Sequence, residues 1–472
     1  MRVIVLVIIL SLTCTLGLEA QIWEIFVPEN TGVRSQDSKP SHSDRYFQLI
    51  DFPENLQDED QILIPGPSGD LIPVTIQESP VFEPELQQRF PEIQAFSFRY
   101  DDVSGRMAVD PAGIDVIFTR GQHRYAIEHL GDHIYKFQEL SMSITKPQQE
   151  LGLCLTPTDL HASTGYSSGI QTRRATTVKQ RTYKLAVSVT STYSARHGGT
   201  TASVLAQINR IFNRVNEVFL REIALRFQII EESTQLFFHN KDDDPYVEGN
   251  NNLMLNTLDE QLVRNIGRTN YDLGHLLATN CGPGTAGVSA GVGTICEFDK
   301  GKALSCDLTN NLEGYVRVLT HELGHQLGAS HTWSNCPGIN NTQRATGTAY
   351  EPGSGSSIMS YISSCGNQNI QYIPGPFYFH TGSIQQMTRY MEIGPGSTCV
   401  TTEEITNRAP EIVSVNIPEN ADLYIPISTP FILDALAVDE DGDRLTYAWD
   451  QLDTGPIAPL GEPIQSGPSF RS

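Results

Sequence analysis

Eleven residues, His321-Glu322-Leu323-Gly324-His325-Gln326-Leu327-Gly328-Ala329-Ser330-His331, constrain this chain more than any other stretch. His321 and His325 are spaced to project from one face of a helix, one turn apart. Two neutral imidazoles so placed can bind one Zn²⁺ at about 2.0–2.1 Å. Glu322 lies beside the first of them, positioned to take a proton from zinc-activated water. Gly328 lets the backbone leave the helix through a positive φ, and that turn brings His331 round as a third ligand. Three protein ligands leave the fourth tetrahedral position open, which separates a catalytic zinc from a closed structural one.

Alone, His-Glu-x-x-His also occurs on solvated helix faces. The glycine and third histidine at fixed offsets cut that reading back. A second element follows at Ser357-Ile358-Met359-Ser360-Tyr361. A methionine in a tight turn there would form an apolar floor beneath the imidazoles, although Met is also a common gap-filler in loops. With both elements in this order, the chain resembles the metzincin clan of zinc endopeptidases. Over about Arg181–Cys399 it is most similar to the reprolysin (adamalysin-type) proteases, in the form found in secreted bacterial proteins.

The resemblance implies an α/β catalytic domain, a twisted mixed sheet plus the active-site helix. It implies His321, His325 and His331 as zinc ligands, Glu322 as general base and Met359 as the Met-turn methionine. Two positions depart from it. Reprolysins usually carry Asp directly after the third histidine, where this chain has Thr332. Tyr361 is instead the pattern of astacins and serralysins, in which that tyrosine can act as a movable fifth ligand and as a donor to the tetrahedral intermediate. Tyr361 is therefore a candidate catalytic residue; the plainer alternative is a packed tyrosine with a satisfied hydroxyl.

The net charge of −23 over 472 residues argues against nucleic acid or an anionic membrane surface as partner. It suits a soluble secreted protein. Met1-Arg2 and the apolar run Val3–Leu12 read as a signal peptide over 1–20, too short to span a bilayer. Ala20 precedes the expected cleavage, and Cys14 is discarded with this segment. No other segment is long and apolar enough for a membrane helix. Cys281, Cys296, Cys306, Cys336, Cys365 and Cys399 lie in or at the end of the expected catalytic domain. An even count in an exported protein suggests three disulfides, with about fifteen possible pairings. Cys296 with Cys306 and Cys336 with Cys365 would close local loops. Cys281 with Cys399 would tie the domain's end to its middle, as adamalysin-type domains tend to do.

Residues 21–180 are expected to form a strand-rich prodomain with a linker. Ala95–Tyr100, Ile114–Phe118 and His123–Ile127 carry strand patterns, while the part up to Leu56 is polar and reads as loosely ordered. The linker, Ser163–Lys179, contains Arg173-Arg174, a dibasic pair of the kind easily cut during maturation. Cys154 is the odd cysteine, upstream of the linker. Its thiolate could fill the open fourth zinc position and silence a zymogen; otherwise it is a free or buried structural cysteine.

The catalytic domain, 181–400, should open with strand Tyr183–Val189. An amphipathic helix Thr201–Ile223 follows, then strand Leu225–Ile230, helix Leu253–Ile266 and strand Tyr271–Leu277. His275 in that strand reads as structural. The Gly-rich run Gly282–Gly293 is no phosphate loop, because no Lys-Ser/Thr follows. It is either a flexible loop or the sheet edge that pairs with extended substrate. The active-site helix spans about Asn311–Gly328, and a last helix about Ser383–Met391. The loop between Met359 and that last helix should wall the pocket for the residue after the scissile bond.

From Ala409 the texture changes to short apolar strands and prolines. Residues 409–472 read as part of an Ig-like or cadherin-like β-sandwich, which usually needs about 100 residues. Asp439, Asp441 and Asp443 could supply hard oxygens to Ca²⁺, or form an acidic turn without metal. Together these features imply a secreted zinc metalloendopeptidase made as a zymogen, acting on protein or peptide. The alternative is a catalytically passive zinc-containing adhesion or binding protein.

Overall fold

A computed structural model of the chain describes residues 22–26, 45–52, 56–57, 60–140, 153–157, 177–308, 311–337, 343–371, 375–416, 424–426, 429–462 and 467–470. The expected signal peptide and Arg173-Arg174 lie outside the described residues. The described helices are α1 (Pro84–Arg89), α2 (Ser191–Arg196), α3 (Thr201–Ile223), α4 (Asn251–Asn265), α5 (Leu312–Gln326) and α6 (Thr381–Glu392). Local chemistry sets their ends. Thr200 and Ser203 form a reciprocal capping box at the start of α3, and Ala224 ends it in the left-handed region. Asn250 and Asn311 accept the first free N–H groups of α4 and α5. The chain divides into two compact units, Met1–Ser141 with Leu205–Glu217, and Met142–Val204 with Val218–Ser472.

In the first unit, strands β1 (Ile22–Phe26), β2 (Arg45–Asp51), β3 (Gln61–Pro65), β4 (Leu71–Glu78), β5 (Gln94–Tyr100), β6 (Val103–Asp110), β7 (Gly113–Arg120), β8 (His123–Gly131) and β9 (Ile134–Glu139) form one sheet. Its order is β1-β2-β9-β8-β7-β6-β5-β4-β3, with every neighbour antiparallel. In β4 the alternation of Ile72, Val74 and Ile76 buries one face. The stretch up to Leu56, expected to be loosely ordered, contributes β1 and β2. Trp23, Phe47 and Leu49 are the reason: all three are buried in the core, and the Trp23 indole donates to the Leu63 carbonyl at 2.9 Å.

The middle of α3 belongs to this unit through polar side chains four residues apart, which share one helix face. Arg210 grips Asp110 through Nε and Nη2 at 2.7 and 2.9 Å. Arg214 grips Asp115 at 2.9 and 2.7 Å and reaches Glu128 at 3.0 Å. Arg106 donates to Asn213, and Asn209 to the Gln94 carbonyl, both at 2.8 Å. Arg214 and Asp115 are both buried.

The second unit holds β10 (Leu153–Cys154), β11 (Thr177–Val189), β12 (Leu225–Ile229), β13 (Leu273–Ala278), β14 (Thr285–Ser289), β15 (Ala303–Cys306) and β16 (Thr401–Arg408). The order is β10-β14-β15-β13-β11-β12, with β16 added antiparallel to β11. The sheet is mixed. Pairs β11–β12, β11–β13, β13–β15 and β10–β14 are parallel, and β14–β15 is antiparallel. Central parallel strands are covered on both faces and lose alternation; every residue of β13 is buried.

His275, in β13, joins the sheet to α5. Its Nε2 lies 3.0 Å from Ser305 Oγ in β15 and its Nδ1 3.3 Å from Gln326 Oε1 at the end of α5. Burial pushes its pKa down to about 4.

The disulfides are Cys281–Cys306, Cys296–Cys399 and Cys336–Cys365. Of the expected pairs only the last is present, and the other four cysteines exchange partners. Sheet register is the cause. Ala278 lies opposite Cys306, so the chain leaving β13 brings Cys281 to it. The Ile295 carbonyl accepts the Tyr390 hydroxyl of α6 at 2.7 Å, which holds Cys296 by the exit of that helix, where Cys399 follows. Beyond Ala409 the described strands are one antiparallel pair, β17 (Glu411–Val415) and β18 (Ala435–Val438). No described helix is long and apolar enough to cross a membrane.

Two stability outcomes follow from the buried polar groups. Arg214→Met removes the fork on Asp115 and should cost about 3–5 kcal/mol, read as a lower denaturation midpoint of the full chain; a loss below about 1 kcal/mol would contradict a buried pair. His275 has a folded pKa below its unfolded value of about 6.5. Its contribution is therefore complete above that pH and drains away as pH falls towards 4. The stability difference between wild type and His275→Asn should shrink by about 3 kcal/mol across that window, and a pH-independent difference would refute it.

Candidate metal centre

The last two turns of α5 carry His321, Glu322 and His325 on buried positions. The helix closes at Leu327, and Gly328 turns the chain with φ +96°. His331 is thereby brought back against the helix, its Nε2 lying 3.0 Å from His325 Nε2, which is also 3.0 Å from His321 Nε2.

The far sides of the three rings fix their tautomers. His321 Nδ1 faces the Ile358 carbonyl, His325 Nδ1 that of Ala329 and His331 Nδ1 that of Gln343, each at 2.8 Å. A carbonyl only accepts, so each Nδ1 carries the proton and each Nε2 turns a lone pair inward. Burial holds His321 neutral, its pKa near 4. Burial and the neighbouring rings push His325 well below the usual histidine range, and burial and His321 do the same for His331. Three inward lone pairs at this distance repel one another unless a cation lies between them. That donor set, with a thiol beside it, fits zinc.

The thiol is that of Cys154. Its Sγ and one nitrogen of each of His321, His325 and His331 all lie within 4.8 Å of one another, all on buried residues. As a free group this thiol is pushed well up by burial, and further by Glu322; a bound cation inverts that logic and favours the thiolate. Cys154 reaches the site on β10, which runs along β14. Leu153 N–H donates to the Gly284 carbonyl at 2.7 Å and Leu155 N–H to that of Gly287 at 3.1 Å. Part of the Gly-rich run is thus β14, a strand of the catalytic sheet that lies between β10 and β15. Gly287 is required there, since a Cβ would sit 2.6 Å from Glu322 Oε1.

Glu322 is fully buried, and burial pushes its carboxyl up to about 8. Its Oε2 accepts from Thr156 Oγ1 at 2.9 Å, and its Oε1 has no hydrogen-bond partner among the described residues. Thr156 in turn accepts the Ser289 N–H at 2.7 Å. Tyr361 meets the His331 ring edge-on, with ring centroids 4.7 Å apart, and donates its hydroxyl to the Cys154 carbonyl at 2.6 Å. Met359 is buried with its sulfur against the backbone at Gly324. A small cavity of about 40 Å³ opens beside Glu322, lined among others by Arg317, Val318, Ile358 and Ile362.

The structure therefore brings His321, Glu322, His325, His331, Met359, Tyr361 and Cys154 together. Asp439, Asp441 and Asp443 are not part of this group. Asp439 Oδ1 accepts the N–H groups of Asp441 and Asp443 at 3.0 and 3.1 Å, and Asp441 Oδ2 that of Arg408 at 2.6 Å. The Asp439 carboxylate serves the turn and that of Asp441 the end of β16, and the arrangement lends calcium no support. Sequence reasoning passed over Thr156 and Glu351. Thr156 could have been noticed two residues after the odd cysteine. Glu351 is a lone carboxylate in an otherwise small-residue loop, Pro352-Gly353-Ser354-Gly355-Ser356-Ser357, that leads to Met359.

Residues 179–386 match the family model of the M12B reprolysin-like metallo-peptidases. Metalloproteinase-II from Bacteroides fragilis is similar in structure, with a TM-score of 0.38 and 12% identity over 70% of this chain and 90% of that one. A chaperone-substrate complex matches with a TM-score of 0.27 and 12% identity over 61% of this chain and 38% of that chain. No curated protein sequence matches the chain. The matched stretch contains most of β11 and all of β12 to β15 of the mixed sheet, the helix carrying His321 and His325 and the turn to His331, and residues 179–386 are a reprolysin-like zinc metallopeptidase domain of family M12B.

Proposed function

We propose that this chain is a secreted zinc endopeptidase made as a zymogen, with His321, His325 and His331 as its zinc ligands and Cys154 as the inhibitory fourth ligand. The observation that carries this reading is the convergence of three inward Nε2 atoms and the Cys154 thiol beside the Glu322 carboxylate. Bound Zn²⁺ supplies Lewis acidity, polarising the scissile carbonyl and making a nearby water more acidic. Glu322 takes the proton of the attacking water and delivers it to the leaving amine. Tyr361, whose hydroxyl already donates to a peptide carbonyl, donates to the substrate oxyanion once residues 153–156 have left. An extended substrate pairs with β14, the edge that β10 covers in the precursor. The three disulfides suit an oxidising compartment.

Casein digestion by the chain after removal of the segment upstream of β11, with and without a chelator, tests the activity. Chelator-sensitive hydrolysis is expected; its absence from a zinc-loaded chain would favour a passive zinc-containing adhesion protein. Glu322→Gln should keep its zinc and lose hydrolysis by about 10²–10⁴-fold, and near-normal turnover would remove Glu322 as the base. Cys154→Ala should let the uncut precursor digest casein at least about tenfold faster than wild type. In the Co²⁺-loaded precursor it should also abolish thiolate-to-metal charge-transfer absorption. A wild-type precursor without that absorption would show that Cys154 is not a ligand.

A further inference from the structure

We propose that Glu351 is a positioning residue of the metal centre: it fastens the segment carrying His331 to the turn that holds His321. This assignment rests on the proposed zinc site. Reprolysins usually place a carboxylate directly after the third histidine, and this chain has the Thr332 hydroxyl there. The carboxylate arrives instead from Glu351. Thr332 Oγ1 donates to Glu351 Oε2 at 2.5 Å. Ser357 Oγ donates to the same oxygen at 2.5 Å. Glu351 Oε1 accepts the N–H groups of Ser356 and Ser357 at 2.7 and 2.9 Å, and Ser356 Oγ at 3.3 Å.

One carboxyl group thus takes five hydrogen bonds from two segments, and Glu351 is only 3% exposed. Each segment ends at a zinc-ligand support. Thr332 directly follows His331. Ser357 directly precedes Ile358, whose carbonyl holds His321 Nδ1 at 2.8 Å. The backbone repeats the link, since Glu351 N–H donates to the Thr332 carbonyl at 2.9 Å and Thr332 N–H to that of Met359 at 3.1 Å. Without Glu351, two buried N–H groups and three hydroxyls lose their acceptor, and the two segments lose the side chain that spaces them. The Nε2 atoms of His331 and His321 then lose their common aim.

The test is zinc affinity of the full chain, measured by competition with a chromophoric chelator. Glu351→Ala should bind zinc about 10–100-fold more weakly, the range seen when support of a metal ligand is lost. Glu351→Gln should restore affinity to within about threefold, because its Oε1 still accepts the two N–H groups and its amide nitrogen meets hydroxyls that can turn to accept. Thr332→Val keeps shape and removes one of the donors, and it should weaken zinc about tenfold. If Glu351→Ala fails to fold, unchanged affinity in Thr332→Val overturns the assignment. A folded Glu351→Ala chain that binds zinc like wild type also overturns it. A purely structural role would lower the zinc-free melting temperature and leave the zinc-induced rise intact; positioning requires that rise to shrink. Loss of zinc in His331→Ala is the control. A wild-type chain that binds no zinc overturns the metal centre itself and this assignment with it, whereas equal binding by wild type and Glu351→Ala overturns this assignment alone.

Discussion

Three imidazole nitrogens with their lone pairs inward, that of His325 held 3.0 Å from each of the other two, are a costly arrangement, and much of the second unit is organised to impose it. A helix supplies two of the rings at fixed spacing, but it does not set their rotation. Rotation comes from three backbone carbonyls, those of Ile358, Ala329 and Gln343. They lie in separate loops, so all three must be placed before the site exists. The turn at Gly328 places Ala329, the turn of Met359 places Ile358, and the loop leading to Glu351 places Gln343. Loops generally vary and move. Here they are the precise part, which is why a buried carboxyl and a disulfide, Cys336–Cys365, lie among them.

The sheet contributes less chemistry and more access. Strand β14, next to the terminal β10, passes over Glu322 so closely that only glycine fits at position 287. That closeness lets one extended segment reach β14, the carboxylate and the imidazoles together. Leu153–Thr156 does this: it pairs with β14, caps Glu322 through Thr156, takes the Tyr361 hydroxyl on the Cys154 carbonyl and presents its thiol to the three rings.

Legibility from sequence followed how local each determinant is. The helix from Thr201 to Ile223 was legible to the residue, because its capping and its apolar period are contained in its own sequence. The grouping of His321, Glu322, His325 and His331 was legible because a helix and one glycine turn convert spacing into geometry. Cys154 was legible only as an odd cysteine whose role stayed open, since nothing within its own segment says which metal-binding group it meets. Two disulfide pairs were misassigned because register between β13 and β15, and the packing of Ile295 on α6, bring distant residues together. β1 and β2 were hidden by polar flanks around Trp23, Phe47 and Leu49, whose burial needs the other seven strands. Glu351 carries no motif at all. Its partners, Thr332 and Ser357, lie on opposite sides of it along the chain, and only the folded loops bring them to one carboxyl group.

Magnitudes decide what keeps residues 153–157 in place on the proposed reading. Five hydrogen bonds tie this segment to the catalytic unit: two from its backbone to β14, two through Thr156 and one from Tyr361. At about 1 kcal/mol net each they supply about 5 kcal/mol. Ordering five residues costs about 1–2 kcal/mol apiece, or about 5–10 kcal/mol in all. The cost matches or exceeds that gain by up to about 5 kcal/mol; Cys154 and Leu153, packed with Trp333 and Tyr361, offset part of it, and Leu155 adds little because it is exposed. Peptide pairing alone therefore leaves the segment at the margin of binding. The thiolate–zinc bond tips the balance, and because the other contacts are individually weak they fail together when it breaks. Glu322, Tyr361 and the β14 edge are then uncovered in one step, which is the behaviour a latent protease needs from a segment this short.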